Sequence, residues 1–168
     1  MQARLIPHPR TPSAFIDKVE VAVERDGPLL WLRYTLVGDS TAVETPGPAA
    51  PGRADDLWRH TCFEVFVETD EGYVEYNLSP SGQWASYRFE GPRAGMRLAE
   101  EVASVSGLDG GWDQLALEAR IELPHGARRL GLSTVIETRD GAFSYWALAH
   151  PSDKPDFHHP DSFVLELP

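Results

Sequence analysis

The chain has a single cysteine, so no internal disulfide is possible. No apolar run approaches the roughly 20 residues that a membrane-spanning helix needs. The first residues, MQARLIPHPRTPSAF, have neither an apolar h-region nor a small-residue cleavage site, so no secretory signal is read there and a cytoplasmic location is expected. Basic residues are few: 15 Lys and Arg stand against 26 Asp and Glu, for a net charge of −11. That balance excludes the basic patches on which phosphate-backbone binding rests, and no nucleic-acid or membrane partner is expected. Familiar catalytic signatures are also missing, including a Gly-x-Ser-x-Gly elbow, a phosphate-binding Gly-rich loop and a His-Glu-x-x-His zinc motif. No EF-hand-type calcium loop is present. Apolar content, at 42%, is ordinary for a folded domain, and 168 residues are enough for one domain that buries roughly 70% of its unfolded surface.

Period-2 alternation is abundant. Val19, Val21 and Val23 alternate with Lys18, Glu20 and Glu24, which predicts a strand near 16–26. Leu30, Leu32, Tyr34 and Leu36 predict a second near 29–37, joined to the first by a turn at Asp26-Gly27-Pro28. Residues 38–57, rich in Gly, Pro, Ala and Asp, read as a long loop, of the kind that is functional or mobile. Three strands follow near 61–69, 72–79 and 82–90, with turns at Thr69 to Gly72 and Ser79 to Gly82. Residues 96–106 fit a short helix or a strand. Further strands are expected at 112–123, 128–138 and 142–149, and a short closing strand from Ser162 to Leu167. Many short strands with regular turns predict an all-β fold, a single-domain antiparallel β-sandwich over residues 1–168 with jelly-roll or immunoglobulin-like layers.

The most informative stretch runs from Trp58 to Phe89. Side chains alternate across a sheet. On its first strand Phe63, Val65 and Val67 oppose Cys62, Glu64, Phe66 and Glu68. On the second, Val74, Tyr76 and Leu78 oppose Tyr73, Glu75, Asn77 and Ser79. On the third, Ala85, Tyr87 and Phe89 oppose Trp84, Ser86 and Arg88. With the first set of each taken as core, the other face gathers Glu64, Glu75, Asn77, Trp84 and Arg88. This face reads either as solvated surface, with cross-strand pairs worth about 0.2–1 kcal/mol each, or as a binding face. Carboxylates, an amide, a guanidinium and an indole plate would suit a polyhydroxylated ligand, which needs paired donors and acceptors and a flat apolar partner. Glu64 and Glu75 would fit a glycosidase pair if about 5–10 Å apart, although adjacent strands often bring carboxylates together without catalysis.

Trp58-Arg59-His60 enters this stretch from the long loop, and Trp146 with His150 lies on a late strand. Trp31 and Trp112 read as core. Cys62 reads as a packed thiol. The segment His150 to Phe163, with three His, three Asp and three Pro, matches no common zinc spacing and reads as a Pro-stiffened structural loop.

The blocks DDLWRHTCFE (55–64), YNLSPSGQWASY (76–87) and YWAL (145–148) with His150-Pro151 resemble the DOMON-like proteins, and more narrowly their bacterial branch related to family 9 carbohydrate-binding modules. The resemblance implies a sandwich of two antiparallel sheets with a ligand site on or beside one sheet, where relatives bind sugars or haem. In the sugar-binding modules two Trp side chains clamp a sugar ring; Trp58 and Trp146 are the candidates here. Arg59, His60, Glu64, Asn77, Trp84 and Arg88 complete the expected ligand-binding set. Haem-binding relatives use Met and His as axial ligands; Met96 is the one internal Met, and no His takes a matching position. The expected function is therefore non-catalytic binding of a small ligand, a carbohydrate, with no cofactor. A haem or other redox-cofactor domain and a protein-interaction module are the alternatives.

Overall fold

Val19, Val21, Val23, Leu30, Leu32, Tyr34 and Leu36 are all buried, and the residues between them are more exposed. That alternation holds the first hairpin on the core. The computed structural model describes residues 1–167. Its strands are β1 (Gln2–Pro7), β2 (Ile16–Asp26), β3 (Leu29–Gly38), β4 (Gly52–Arg53), β5 (Cys62–Thr69), β6 (Gly72–Leu78), β7 (Gln83–Phe89), β8 (Arg97–Leu98), β9 (Ala103–Gly110), β10 (Gln114–Glu122), β11 (Arg129–Glu137), β12 (Phe143–Ala147) and β13 (Leu165–Glu166). Three single 3-10 turns interrupt the connections, and no α-helix occurs among the described residues. Among them, too, no helix is long and apolar enough to cross a membrane.

The expected strands form within one or two residues of their expected limits, except the closing one, which starts at Leu165 because Ser162 ends a 3-10 turn. Within residues 96–106, 97–98 and 103–106 are strand, in β8 and the start of β9, and 99–102 link them. The long loop carries the short β4, which pairs in parallel with β7. Two strands were not anticipated, β4 inside the expected loop and β1. In β1 only Leu5 is buried, so no apolar alternation marks it.

β1 has a large effect on the architecture. It pairs with β2 on one side and with β12 on the other. The result is one continuous mixed sheet of 13 strands in the order β4-β7-β6-β5-β11-β12-β1-β2-β3-β10-β9, with β13 on β11 and β8 on β7. The sheet curls until its far ends meet. Ser86 Oγ donates to the Glu101 carbonyl at 2.6 Å, and the Tyr76 hydroxyl donates to the Glu122 carbonyl.

The core lies inside this curl. Val19, Val21, Leu32, Leu36, Leu117 and Ile121 from one half meet Phe63, Val65, Val74, Leu78, Leu130 and Leu132 from the other. Each such side chain contributes about 1.5–3 kcal/mol on burial. Tyr34 spans the two halves, donating its hydroxyl to the Glu64 carbonyl at 2.8 Å. Gly72 opens β6 with φ +119°, and a Cβ there would sit 2.0 Å from the Phe89 carbonyl oxygen, so only glycine allows β6 and β7 to approach at that turn.

Candidate functional site

A second apolar cluster lies on the opposite face of β5, β6, β7, β11 and β12. It holds Phe66, Tyr73, Ala85, Tyr87, Phe89, Val135, Ala147, Phe157 and Phe163. The register sets this face in rows. Ala147, Ser133, Glu64, Asn77 and Ala85 form one, and Phe66, Glu75 and Tyr87 form the next. Glu64 and Glu75 are thus diagonal neighbours on adjacent strands, under about 8 Å apart at Cβ.

The same register corrects three expected positions. Trp84 pairs with Leu78 and Arg88 with Val74, which puts both on the core side rather than beside Glu64. Trp84 packs against the main core under the Arg53 guanidinium, 4.6 Å from its ring centroid. Arg88 is paired with Glu101. Trp146 is 3% exposed, belongs to the main core and donates Nε1–H to Ser144 Oγ at 3.1 Å. Its neighbour Tyr145 faces outward instead. The expected Trp58–Trp146 clamp therefore does not form. Trp31 and Trp112, expected in the core, are exposed, Trp112 at 76%.

A cavity of about 1040 Å³ opens on this outer face. Its floor carries Glu64, Glu75, Tyr87, Val135 and Tyr145. One wall is the end of the long loop, Asp55 to Arg59, with Trp58 at the rim, 51% exposed. The Arg59 guanidinium lies 5.3 Å over the Trp58 ring and pairs with Asp56 at 3.2 Å. Asp55 accepts the Tyr87 hydroxyl at 2.5 Å, tying wall to floor. A second wall is the β7–β8 connection, which supplies Arg93, Met96, Arg97 and Leu98. A third is the segment after β12, with Pro155, Phe157 and His158. Of the expected set, Trp58, Arg59 and Glu64 line the cavity. Asn77 lies just beneath, donating Nδ2–H to Glu75 Oε1 at 2.8 Å. His60 is not among the lining residues; its Nδ1 meets Glu137 at 2.8 Å.

The segment 150–163 roofs this face. Phe163 stacks on Phe66, with centroids 5.7 Å apart and rings 18° from parallel. Gly131 makes room, since a Cβ there would lie 2.6 Å from Phe163 Cδ1. Asp156 Oδ1 accepts from Arg93 at 2.9 Å and from the His158 amide at 3.2 Å. The Tyr73 hydroxyl accepts the Arg93 amide at 3.2 Å and is hydrogen-bonded to His158 Nδ1 at 2.7 Å. The other ring nitrogen, Nε2, faces Glu75 Oε2 at 3.7 Å.

Burial dominates the electrostatics. It pushes Glu64 well above the usual carboxylate range, with the Glu75 charge adding to the rise and Arg93 opposing it. Burial also raises Glu75, to about 7, against the pull of the Asn77 hydrogen bond and of Arg93. His158 goes the other way, to about 4, through burial and then Arg93. At neutral pH the His158–Glu75 contact is thus a neutral imidazole beside a carboxyl group that still carries much of its proton, and not an ion pair. Cys62, fully buried, has its thiol pushed up by burial and by Glu64, so it is packed and unreactive.

Met96 and His158 both line the cavity, so a haem iron has candidate side chains. His158 does not fit it as placed: Nδ1 is engaged by the Tyr73 hydroxyl at 2.7 Å and Nε2 faces Glu75 Oε2 at 3.7 Å, so either nitrogen would have to leave its partner to reach an iron. Among the described residues no group of three or more His, Cys, Asp or Glu converges as a metal site requires.

Comparison with protein-family models, with curated proteins and with solved structures gives no match. The residues that sequence reasoning missed are Tyr87 and Phe89, which it placed in the core, Phe157 and His158, which it read as part of a structural loop, and Arg93 and Tyr145, to which it gave no role in the site. The Pro-rich segment 150–163 held the one available signal, two Phe and three His in a loop otherwise made of Pro, Asp, Ser and one Lys.

Proposed function

We propose that this chain is a non-catalytic ligand-binding domain and that its outer-face cavity takes a carbohydrate. On this reading the two halves of the curled sheet are the layers of a DOMON-like antiparallel sandwich, and the ligand lies beside one of them. The observation that carries the proposal is the pair of buried carboxyl groups, Glu64 and Glu75, at the floor of a cavity walled by aromatic rings. A carboxyl pair that retains a proton both donates and accepts, as sugar hydroxyls require. Trp58, Tyr87, Tyr145 and Phe157 offer apolar ring faces for the C–H surface of a sugar. The volume is ample for a ligand of a few rings.

Binding without turnover is favoured by where the carboxyl groups stand. Both rise side by side from one sheet floor. A glycosidase pair flanks the scissile bond, leaving the sugar between the two groups.

Glycan-array screening followed by calorimetric titration tests the proposal. Binding of at least one mono- or oligosaccharide is expected, and Trp58→Ala should weaken it by about tenfold, the loss of one stacked rim aromatic. No binding across a broad panel, or binding untouched by Trp58→Ala and Tyr145→Ala together, would overturn it.

A further inference from the structure

The charges around the cavity are not evenly partnered. Each arginine of the walls has its own acid. Arg59 pairs with Asp56 at 3.2 Å, Arg93 with Asp156 at 2.9 Å and Arg97 with Glu90 at 3.2 Å. Glu64 has none. It is 4% exposed and lines the cavity, yet among the described residues its carboxyl group receives no hydrogen bond and lies within 4 Å of no cationic side chain. Glu75 receives only the Asn77 amide, at 2.8 Å on one oxygen. A buried carboxyl group without a partner is costly. Here the one open direction is the cavity, so the missing partner is a ligand group. A strongly donating group there would displace the proton that the pair retains and leave carboxylate oxygens that accept. It sits between two acids and among aromatic faces, and this surrounding favours a cation over a hydroxyl.

We propose that the Glu64–Glu75 floor binds the protonated amine of an amino sugar. The ammonium would lie between the two carboxylates, with the ring between the Tyr87, Tyr145 and Phe157 faces. An ammonium has three donors and no acceptor. Two can meet Glu64 and one the Glu75 oxygen that His158 Nε2 approaches only to 3.7 Å, which satisfies the pair without help from the wall arginines. The inference rests on the carbohydrate reading and narrows it to the sugars that carry a free amine.

Calorimetric titration at pH 7 with glucose, glucosamine and N-acetylglucosamine separates the two claims, because the three share a ring and differ in one substituent. Glucosamine is expected to bind about tenfold more tightly than glucose, the scale of one charge-assisted hydrogen bond, and acetylation should remove the gain. Glu64→Gln keeps the shape of the side chain but cannot ionise. In that variant the advantage of glucosamine over glucose should disappear, whatever the change in glucose binding itself. Glucosamine binding no tighter than glucose, or an advantage that survives both Glu64→Gln and Glu75→Gln, overturns the amine site and leaves the carbohydrate reading standing. Binding of other sugars with none of these three also overturns the amine site alone. If no sugar binds at all, both fall. The wild-type comparison of the three sugars needs no variant, so it decides the matter even if a substitution prevents folding.

Discussion

The Tyr73 hydroxyl and His158 Nδ1 are hydrogen-bonded at 2.7 Å, which joins the sheet floor to the segment that roofs it. With Tyr73 as the donor, the neutral imidazole holds its proton on Nε2, toward Glu75. The cavity wall is thus set by a bond between residues 85 positions apart in the chain.

His158 should remain uncharged down to about pH 4, because burial and Arg93 disfavour the imidazolium. A group lowered on folding adds stability above its unfolded value of 6.5, and that stability is lost as pH falls through the folded value. Nitrogen-15 NMR of the imidazole should report the Nε2–H tautomer across pH 5–8. Tyr73→Phe should erase the tautomer preference and cost about 1 kcal/mol. An imidazole that titrates near 6.5 would contradict the assignment.

The carboxyl pair has the opposite sign. Glu75 is raised from 4.5 to about 7 on folding, and Glu64 is raised with it. The Glu75 contribution is complete below 4.5 and is lost as pH rises through about 7, and the Glu64 contribution has the same sign. Thermal melts should therefore show Tm falling from pH 6.5 to 8, a window in which His158 is already neutral. A loss of ~1 kcal/mol corresponds to about 2–4 °C at this chain length. Glu75→Gln should flatten the profile; an equally steep slope in that variant would place the effect elsewhere.

Trp58 and Trp146 should behave as different kinds of residue. Trp146→Ala empties a core position and should cost about 3–5 kcal/mol in urea denaturation. Trp58→Ala, at the exposed rim, should change stability by less than about 0.5 kcal/mol while weakening the ligand. Equal destabilisation by both would mean that the rim tryptophan is structural.

Gly131→Ala should push on the roof. The new Cβ meets the Phe163 ring, which must shift from its stack on Phe66. Overpacking of this kind costs about 1–3 kcal/mol. Hydrogen exchange should speed up over residues 156–163 and stay unchanged in β2 and β3. Unchanged exchange in the roof would show that Phe163 does not hold it down.

The strands were legible because alternation carries them. Val19, Val21 and Val23 have no other sensible arrangement. β1 was not legible, since Leu5 alone faces the core and its neighbours follow no pattern. The face of β7 was misread for a related reason. Alternation divides Trp84, Ser86 and Arg88 from Ala85, Tyr87 and Phe89, but both sets contain a large aromatic, and only the pairing with β6 says which set joins Glu64. The Glu64–Glu75–Asn77 floor was visible in the sequence, and so was the rim at Trp58 and Arg59. The roof was not. Phe157, His158 and Phe163 reach the floor from about 90 residues away, and a loop of Pro, Asp and His does not announce what it covers.

The most direct test is amide shift mapping by NMR while a sugar panel that includes glucosamine is titrated in. The account predicts perturbations clustered at Glu64, Asn77, Tyr87, Tyr145 and Phe157, with β2 and β3 silent. No perturbation by any sugar, or a cluster around the exposed Trp31 and Arg120 on the far half of the sheet, would contradict it.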